Sequence, residues 1–121
     1  DLESSDMTEL LKNSDFVSLH VPAQKSYVIG KNEFNLMKTG AGLINAARGG
    51  VVDEKSLIES LDSGKLAFAG VDTFENEPKP SVKLLMHPKV SLTPHIGAAT
   101  NEAQDRIGIE LANQIMTLVK E

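Results

Sequence analysis

The hydrophobic positions along the chain alternate between two kinds of segment. Short apolar runs occupy residues 16–21, 42–46, 67–71 and 90–93. They are near-continuous rather than alternating, which predicts strands covered on both faces of a sheet. Helical segments lie between them. Residues 8–12 carry Leu10 and Leu11, with Asp6 or Thr8 able to cap. Residues 32–38 set Phe34 and Met37 on one face, and residues 53–63 group Leu57, Ile58 and Leu61. Asp53 suits the N-cap of that third helix, and Gly64 stands just past its end. The last helix is the longest: Thr100 is its expected N-cap, and Ala103, Ile107, Leu111, Ile115 and Leu118 recur as an amphipathic stripe. Glu102 and Asp105 near its start and Lys120 near its end suit the helix dipole.

This order of strands and helices, with a short connection before the last strand, predicts an α/β fold built on a parallel sheet. In such sheets ligands bind beyond the carboxyl ends of the strands. Nearly every polar residue of chemical interest falls in the four loops at that edge: His20 and Pro22; Ala46-Ala47-Arg48-Gly49-Gly50; Asp72 to Pro78; and Pro94-His95-Ile96-Gly97.

Composition narrows the chemistry. With 121 residues, 40% of them hydrophobic, the chain suits one domain with a real core. Four Phe, one Tyr and no Trp make that core aliphatic. The absence of cysteine excludes disulfides, thiolate metal sites and thiol catalysis, and fits a reducing, cytoplasmic setting. A net charge of −5 argues against a nucleic-acid surface. No apolar run approaches the roughly 20 residues of a membrane span, and no signal-peptide pattern opens the chain. No metal site is expected, because the three histidines lack ligand spacing. No nucleophile elbow or P-loop occurs. Gly40-Ala41-Gly42 precedes a strand instead of following one, so it is not a dinucleotide fingerprint.

Within the four loops several residues admit two readings. Arg48, between a buried strand and two glycines, is either a surface residue of a turn or a bidentate anchor for a carboxylate. Glu77 and His95 are either two loop residues that never meet or a general acid/base pair, in which the carboxylate orients the ring and favours the imidazolium. Asp72, ending an apolar strand, needs a partner: it caps a local turn or receives a ligand amide. His20 packs on its turn or touches a ligand. His87, before Pro88 in a surface connection, is given no role.

Three runs carry a family resemblance. Asn45-Ala46-Ala47-Arg48-Gly49-Gly50-Val51-Val52-Asp53, Gly70-Val71-Asp72-Thr73-Phe74-Glu75-Asn76-Glu77-Pro78 and Thr93-Pro94-His95-Ile96-Gly97-Ala98-Ala99-Thr100 resemble the NAD-dependent D-2-hydroxyacid dehydrogenases in order and spacing. The run from His95 to Gln104 is most similar to the 3-phosphoglycerate dehydrogenases among them, which open the phosphorylated route to serine. The resemblance implies a hydride exchanged between NAD and a small 2-hydroxy or 2-keto acid. Arg48 would bind the substrate carboxylate, His95 would pass the proton, and Glu77 would hold His95. Asp72 would contact the nicotinamide carboxamide. Ala46, Ala47, Gly97 and Ala98 would line the cofactor together with Arg48 and His95, and His20, Val21 and Pro22 would lie on its adenosine side. The resemblance also implies a homo-oligomer, a dimer or tetramer, and charge and hydropathy imply no nucleic-acid or membrane partner.

Gly-x-Gly-x-x-Gly, the acidic residue that follows it and a separate substrate domain do not occur in these 121 residues. The expectation is therefore a doubly wound, Rossmann-like parallel sheet, here only the second half of an NAD-binding domain plus the following long helix, with the start at Asp1 read as processing or as part of something larger. The loop 22–27 is shorter than the family's Thr-containing loop. Alone, the chain is expected to bind NAD poorly and not to turn over. The alternatives are a glyoxylate or hydroxypyruvate reductase, or an NAD-sensing, non-catalytic binding scaffold of the same fold.

Overall fold

A computed structural model describes residues 3–120. The elements are α1 (Met7–Asn13), β1 (Phe16–Leu19), α2 (Lys31–Leu36), β2 (Ala41–Asn45), α3 (Glu54–Asp62), β3 (Leu66–Val71), α4 (Val82–Leu85), β4 (Val90–Leu92) and α5 (Asn101–Lys120). The four strands form one parallel sheet in the order β1-β2-β3-β4. The α/β, Rossmann-like class expected from the sequence is the one observed.

Local chemistry sets the helix ends. Asp6 caps α1 by accepting the Glu9 N–H at 2.9 Å, and Asp53 caps α3 by accepting the Lys55 N–H at 3.1 Å. Gly64, just beyond α3, has φ of 76°, a backbone region in which a side chain is strained. Thr100 accepts the Ala103 N–H at 3.2 Å, as its place before α5 predicts. The connection between β3 and β4 is not purely a loop: Val82–Leu85 makes one helical turn that buries Leu84.

Strand register separates the two sheet faces. Val17, Leu43, Ala69 and Val90 share one row, and Leu19, Asn45, Val71 and Leu92 the next. These rows meet the helices, which pack in a line, α1 on α2, α2 on α3 and α3 on α4. Leu11, Ile29, Phe34, Leu43, Leu57 and Leu61 are fully buried there. Each such side chain stabilises the fold by about 1.5–3 kcal/mol.

The other face differs from the expectation of a sheet covered on both sides. Phe16, Ile44 and Phe68 project from it and remain 70%, 40% and 38% exposed. The rings of Phe16 and Phe68 lie 6.1 Å apart, and Phe68 covers Gly42, where a Cβ would sit 2.4 Å from the ring. Apolar strand composition permits cover on both sides, whereas the described helices α1–α4 line up along one. The stripe of α5 is likewise not a buried seam: Ile107, Leu111, Ile115 and Leu118 are each more than half exposed. No helix of the described residues is long and apolar enough to cross a membrane.

Candidate active site at the carboxyl edge of the sheet

β1 ends at Leu19, two residues earlier than its apolar run suggests, so His20 and Val21 lie beyond the strand. The loops after β1, β2, β3 and β4 all open at the same edge, because the strands are parallel.

The β3 and β4 loops are joined by two carboxylates. Asp72 leaves the end of β3 and reaches the β4 loop. Its Oδ1 accepts the Thr93 hydroxyl at 2.6 Å and the Ile96 N–H at 2.9 Å, and its Oδ2 accepts the Gly97 N–H at 3.0 Å. Burial pushes this carboxyl up, but the three hydrogen bonds, with His95 nearby, outweigh it and hold Asp72 below its ordinary value. The need of Asp72 for a partner is thus met by the 93–97 turn after the neighbouring strand rather than by a turn of its own loop.

Glu77 makes the second tie. Its Oε2 stands 2.8 Å from His95 Nδ1, and its Oε1 accepts the Phe74 N–H at 3.0 Å. The hydrogen bonds from His95 and then Phe74 lower its carboxyl below the usual range. An ionised carboxylate only accepts, so Nδ1 carries the proton and Nε2 is left for other partners. Between the two readings left open by the sequence, the geometry gives the paired one. His95 adopts φ of 56°, in the left-handed region, and its side chain is 43% exposed. The imidazole is therefore oriented and accessible, the arrangement a general acid/base needs.

Arg48 follows β2. Its Nη1 donates to the Ala47 carbonyl at 2.6 Å, and among the described residues no ion pair engages it. No hydrogen bond joins it to Glu77 or His95. Its turn is nonetheless fixed on two sides. Gly49 lies so close to Phe74 that a Cβ would sit 1.8 Å from the Phe74 carbonyl oxygen. Val52 pairs with Ile29 through a short parallel bridge: the Ile29 N–H donates to the Val51 carbonyl at 3.1 Å, and the Asp53 N–H to the Ile29 carbonyl at 2.9 Å.

A cleft of about 350 Å³ lies between the β2, β3 and β4 ends. Ile44, Val71, Leu92 and Ile96 make it apolar, and Asp72 supplies a polar edge. Ala46 and Gly97, both singled out from the sequence, line it too. Ala47 is buried nearby, whereas Ala98 is exposed. His20 bonds Ser18 through Nε2 at 2.8 Å, and Pro22 is exposed. Asn45, Thr93, Glu54 and Glu75 were not anticipated. Asn45 is buried, and its Oδ1 accepts the Ala47 N–H at 3.1 Å, shaping the turn before Arg48. Strand-end position was the only signal for Asn45, and none marked Glu54. His87 is more than a surface residue: its side chain is largely buried, and Nε2 lies 3.1 Å from Asp62. It sits against α3, among Ile58, Leu61 and Lys83, apart from the strand-end cleft.

An apolar cleft beyond the carboxyl ends of a parallel sheet is where α/β proteins of the nucleotide-cofactor class bind their ligands. The profile of the D-isomer specific 2-hydroxyacid dehydrogenase NAD-binding domain matches residues 1–97, and the chain belongs to that family. It is 47% identical to hydroxypyruvate reductase of Thermotoga maritima over 119 residues, covering 94% of this chain and 39% of that protein. It is 44% identical to D-3-phosphoglycerate dehydrogenase of Methanocaldococcus jannaschii over 117 residues, covering 95% of this chain and 22% of that protein. The crystal structure of a glyoxylate reductase from Paecilomyes thermophila superposes with a TM-score of 0.80 at 37% identity, over 97% of this chain and 36% of that one. The family is NAD-binding, and the chain spans well under half the length of these relatives.

Proposed function

We propose that this chain is the second half of the cofactor domain, with the long helix after it, of an NAD-dependent dehydrogenase that oxidises 3-phosphoglycerate. The observation that carries the reading is the 2.8 Å contact of Glu77 with His95 Nδ1, which leaves Nε2 accessible at the strand edge. Bound NAD supplies hydride exchange at the substrate C2. His95 Nε2 takes the proton of the C2 hydroxyl in oxidation and returns it in reduction. Glu77 keeps Nδ1 protonated and the ring aligned. Arg48, exposed and free of ion pairs among the described residues, swings from Ala47 to hold the substrate carboxylate by two hydrogen bonds and to stabilise charge on the C2 oxygen.

The residues present fit the nicotinamide end of the cofactor. The walls of the cleft are apolar and suit a flat ring. Asp72 uses three of about four acceptor positions, leaving one for a carboxamide N–H. Gly97 keeps the edge open, since a Cβ there would stand 3.1 Å from Asp72 Oδ2. Ala46, Ala47 and Ala98 continue the small-residue lining, and His20, Val21 and Pro22 lie toward the adenosine. The pyrophosphate-binding glycines are not among these 121 residues, so the isolated chain is expected to bind NAD weakly and to be inactive.

A second reading, glyoxylate or hydroxypyruvate reductase, is favoured by the similar identity to relatives of that name. NAD-linked assays of the full-length protein with 3-phosphoglycerate, glyoxylate and hydroxypyruvate separate the two. Preferred oxidation of 3-phosphoglycerate is the expected result. Preference for either reductase substrate moves the assignment to the second reading, and turnover of none of the three overturns both.

A further inference from the structure

Two carboxylates away from the reacting edge make a reciprocal contact. The Glu54 N–H donates to Glu75 Oε1 at 3.0 Å, and the Glu75 N–H donates to Glu54 Oε1 at 2.8 Å. Glu54 is the first residue of α3, and its N–H has no partner within the helix. Glu75 is two residues before Glu77 and adjoins Phe74, whose N–H is held by Glu77. Glu54 is only 8% exposed, an uncommon burial for an acid, and one that is tolerated because a backbone donor faces it.

We propose that Glu54 and Glu75 are positioning residues: their reciprocal carboxylate-to-backbone clamp locks the loop carrying Glu77 to the start of α3, and through it to the turn carrying Arg48. The inference rests on the dehydrogenase reading of Arg48, Glu77 and His95. The clamp lies beside the Gly49–Phe74 close approach, so the β2 and β3 loops are joined there along their backbones. Without it, the close approach of Gly49 to Phe74 remains, but the segment from Glu75 to Glu77 is free to shift away from the start of α3, loosening the hold of Glu77 on His95 and on the Phe74 N–H. Reach, rather than charge, is what the clamp requires, since each side chain acts by accepting an N–H.

The experiment compares Glu75→Asp, Glu75→Gln, Glu54→Asp and Glu54→Gln in the full-length protein, with NADH and the preferred 2-oxo acid. The Asp variants keep the charge but shorten the reach by one methylene. They should lower kcat about tenfold. KM for NADH should stay near wild type. The Gln variants keep an acceptor oxygen at full length and should retain kcat. Combining both Asp changes should cost no more than the worse single change, because either one opens the same clamp. A second readout does not depend on activity: the carboxyl of Glu77, followed by NMR, should titrate closer to its ordinary value in the Asp variants and stay low in the Gln variants. Asp variants that match wild type in kcat and in Glu77 titration overturn the clamp. So do Gln variants as impaired as Asp, or losses that add. A wild-type protein inactive on every 2-oxo acid overturns the dehydrogenase reading, while the Glu77 titration still decides the clamp.

Discussion

Gly49 lies against the backbone of Phe74, so close that a methyl group on Gly49 would stand 1.8 Å from the Phe74 carbonyl oxygen. Two loops from neighbouring strands, one bearing Arg48 and the other Glu77, thus meet through backbone with no side chain between them. Gly49→Ala must push the loops apart and should destabilise the fold by about 1–3 kcal/mol. Gly42→Ala is the control. Its Cβ would meet the ring of Phe68, a partly exposed side chain that can swing aside, and the cost should stay below about 1 kcal/mol. Denaturant midpoints of the two variants provide the comparison, and equal losses would refute the difference.

Replacing His95 by Gln should lower kcat by about 100- to 10,000-fold, the usual contribution of a positioned acid/base. Glu77→Gln should cost about 10- to 100-fold, because the neutral amide neither orients the ring as firmly nor stabilises its protonated form. Steady-state kinetics of both variants check the order. A Glu77→Gln enzyme as fast as wild type would remove the carboxylate from the mechanism.

Arg48→Lys keeps the charge but loses the planar fork. Substrate KM should rise about tenfold or more, while KM for NAD moves little. Parallel titrations of substrate and cofactor measure the split. An effect confined to NAD would place Arg48 on the cofactor side alone.

Acidification should act through Asp72 and Glu77 in one direction and through Glu54 in the other. Asp72 and Glu77 titrate below their ordinary values of 3.8 and 4.5 in the folded chain. The stability they contribute is therefore fully present above those values and is lost as pH falls through the lowered ones. Burial raises Glu54 above its ordinary 4.5, against the hydrogen bond from Glu75, so its protonation favours the fold as pH falls from the raised value to 4.5. Asp72→Asn should cost about 1–3 kcal/mol near neutrality, because an amide nitrogen cannot accept the Gly97 N–H. That deficit should shrink on acidification below 3.8. Urea unfolding of wild type and variant across the acid range tests it, and a pH-independent deficit would contradict the assignment.

The sequence by itself determined the four strands and the helices α1, α2, α3 and α5, but not the single turn of α4. Period and punctuation decided them: apolar runs for four strands, and Asp53, Gly64 and Thr100 for helix ends, because caps and left-handed turns are local needs of the backbone. The order of strands and helices was enough for a parallel sheet, and hence for the edge where Arg48, Asp72, Glu77 and His95 gather. Tertiary structure decided which of these residues touch. Glu77 and His95 are separated by eighteen positions, and no local pattern could tell a bonded pair from two unrelated loop residues. The same holds for Asp72 on Thr93, Ile96 and Gly97, and for Glu54 with Glu75: both depend on where strands β2, β3 and β4 end relative to one another. It also decided which apolar surfaces are covered. Phe16, Ile44 and Phe68 read as core because composition records an affinity for burial. Only the path of the chain determines which surface lies opposite them, and helices α1–α4 all pack on the other face.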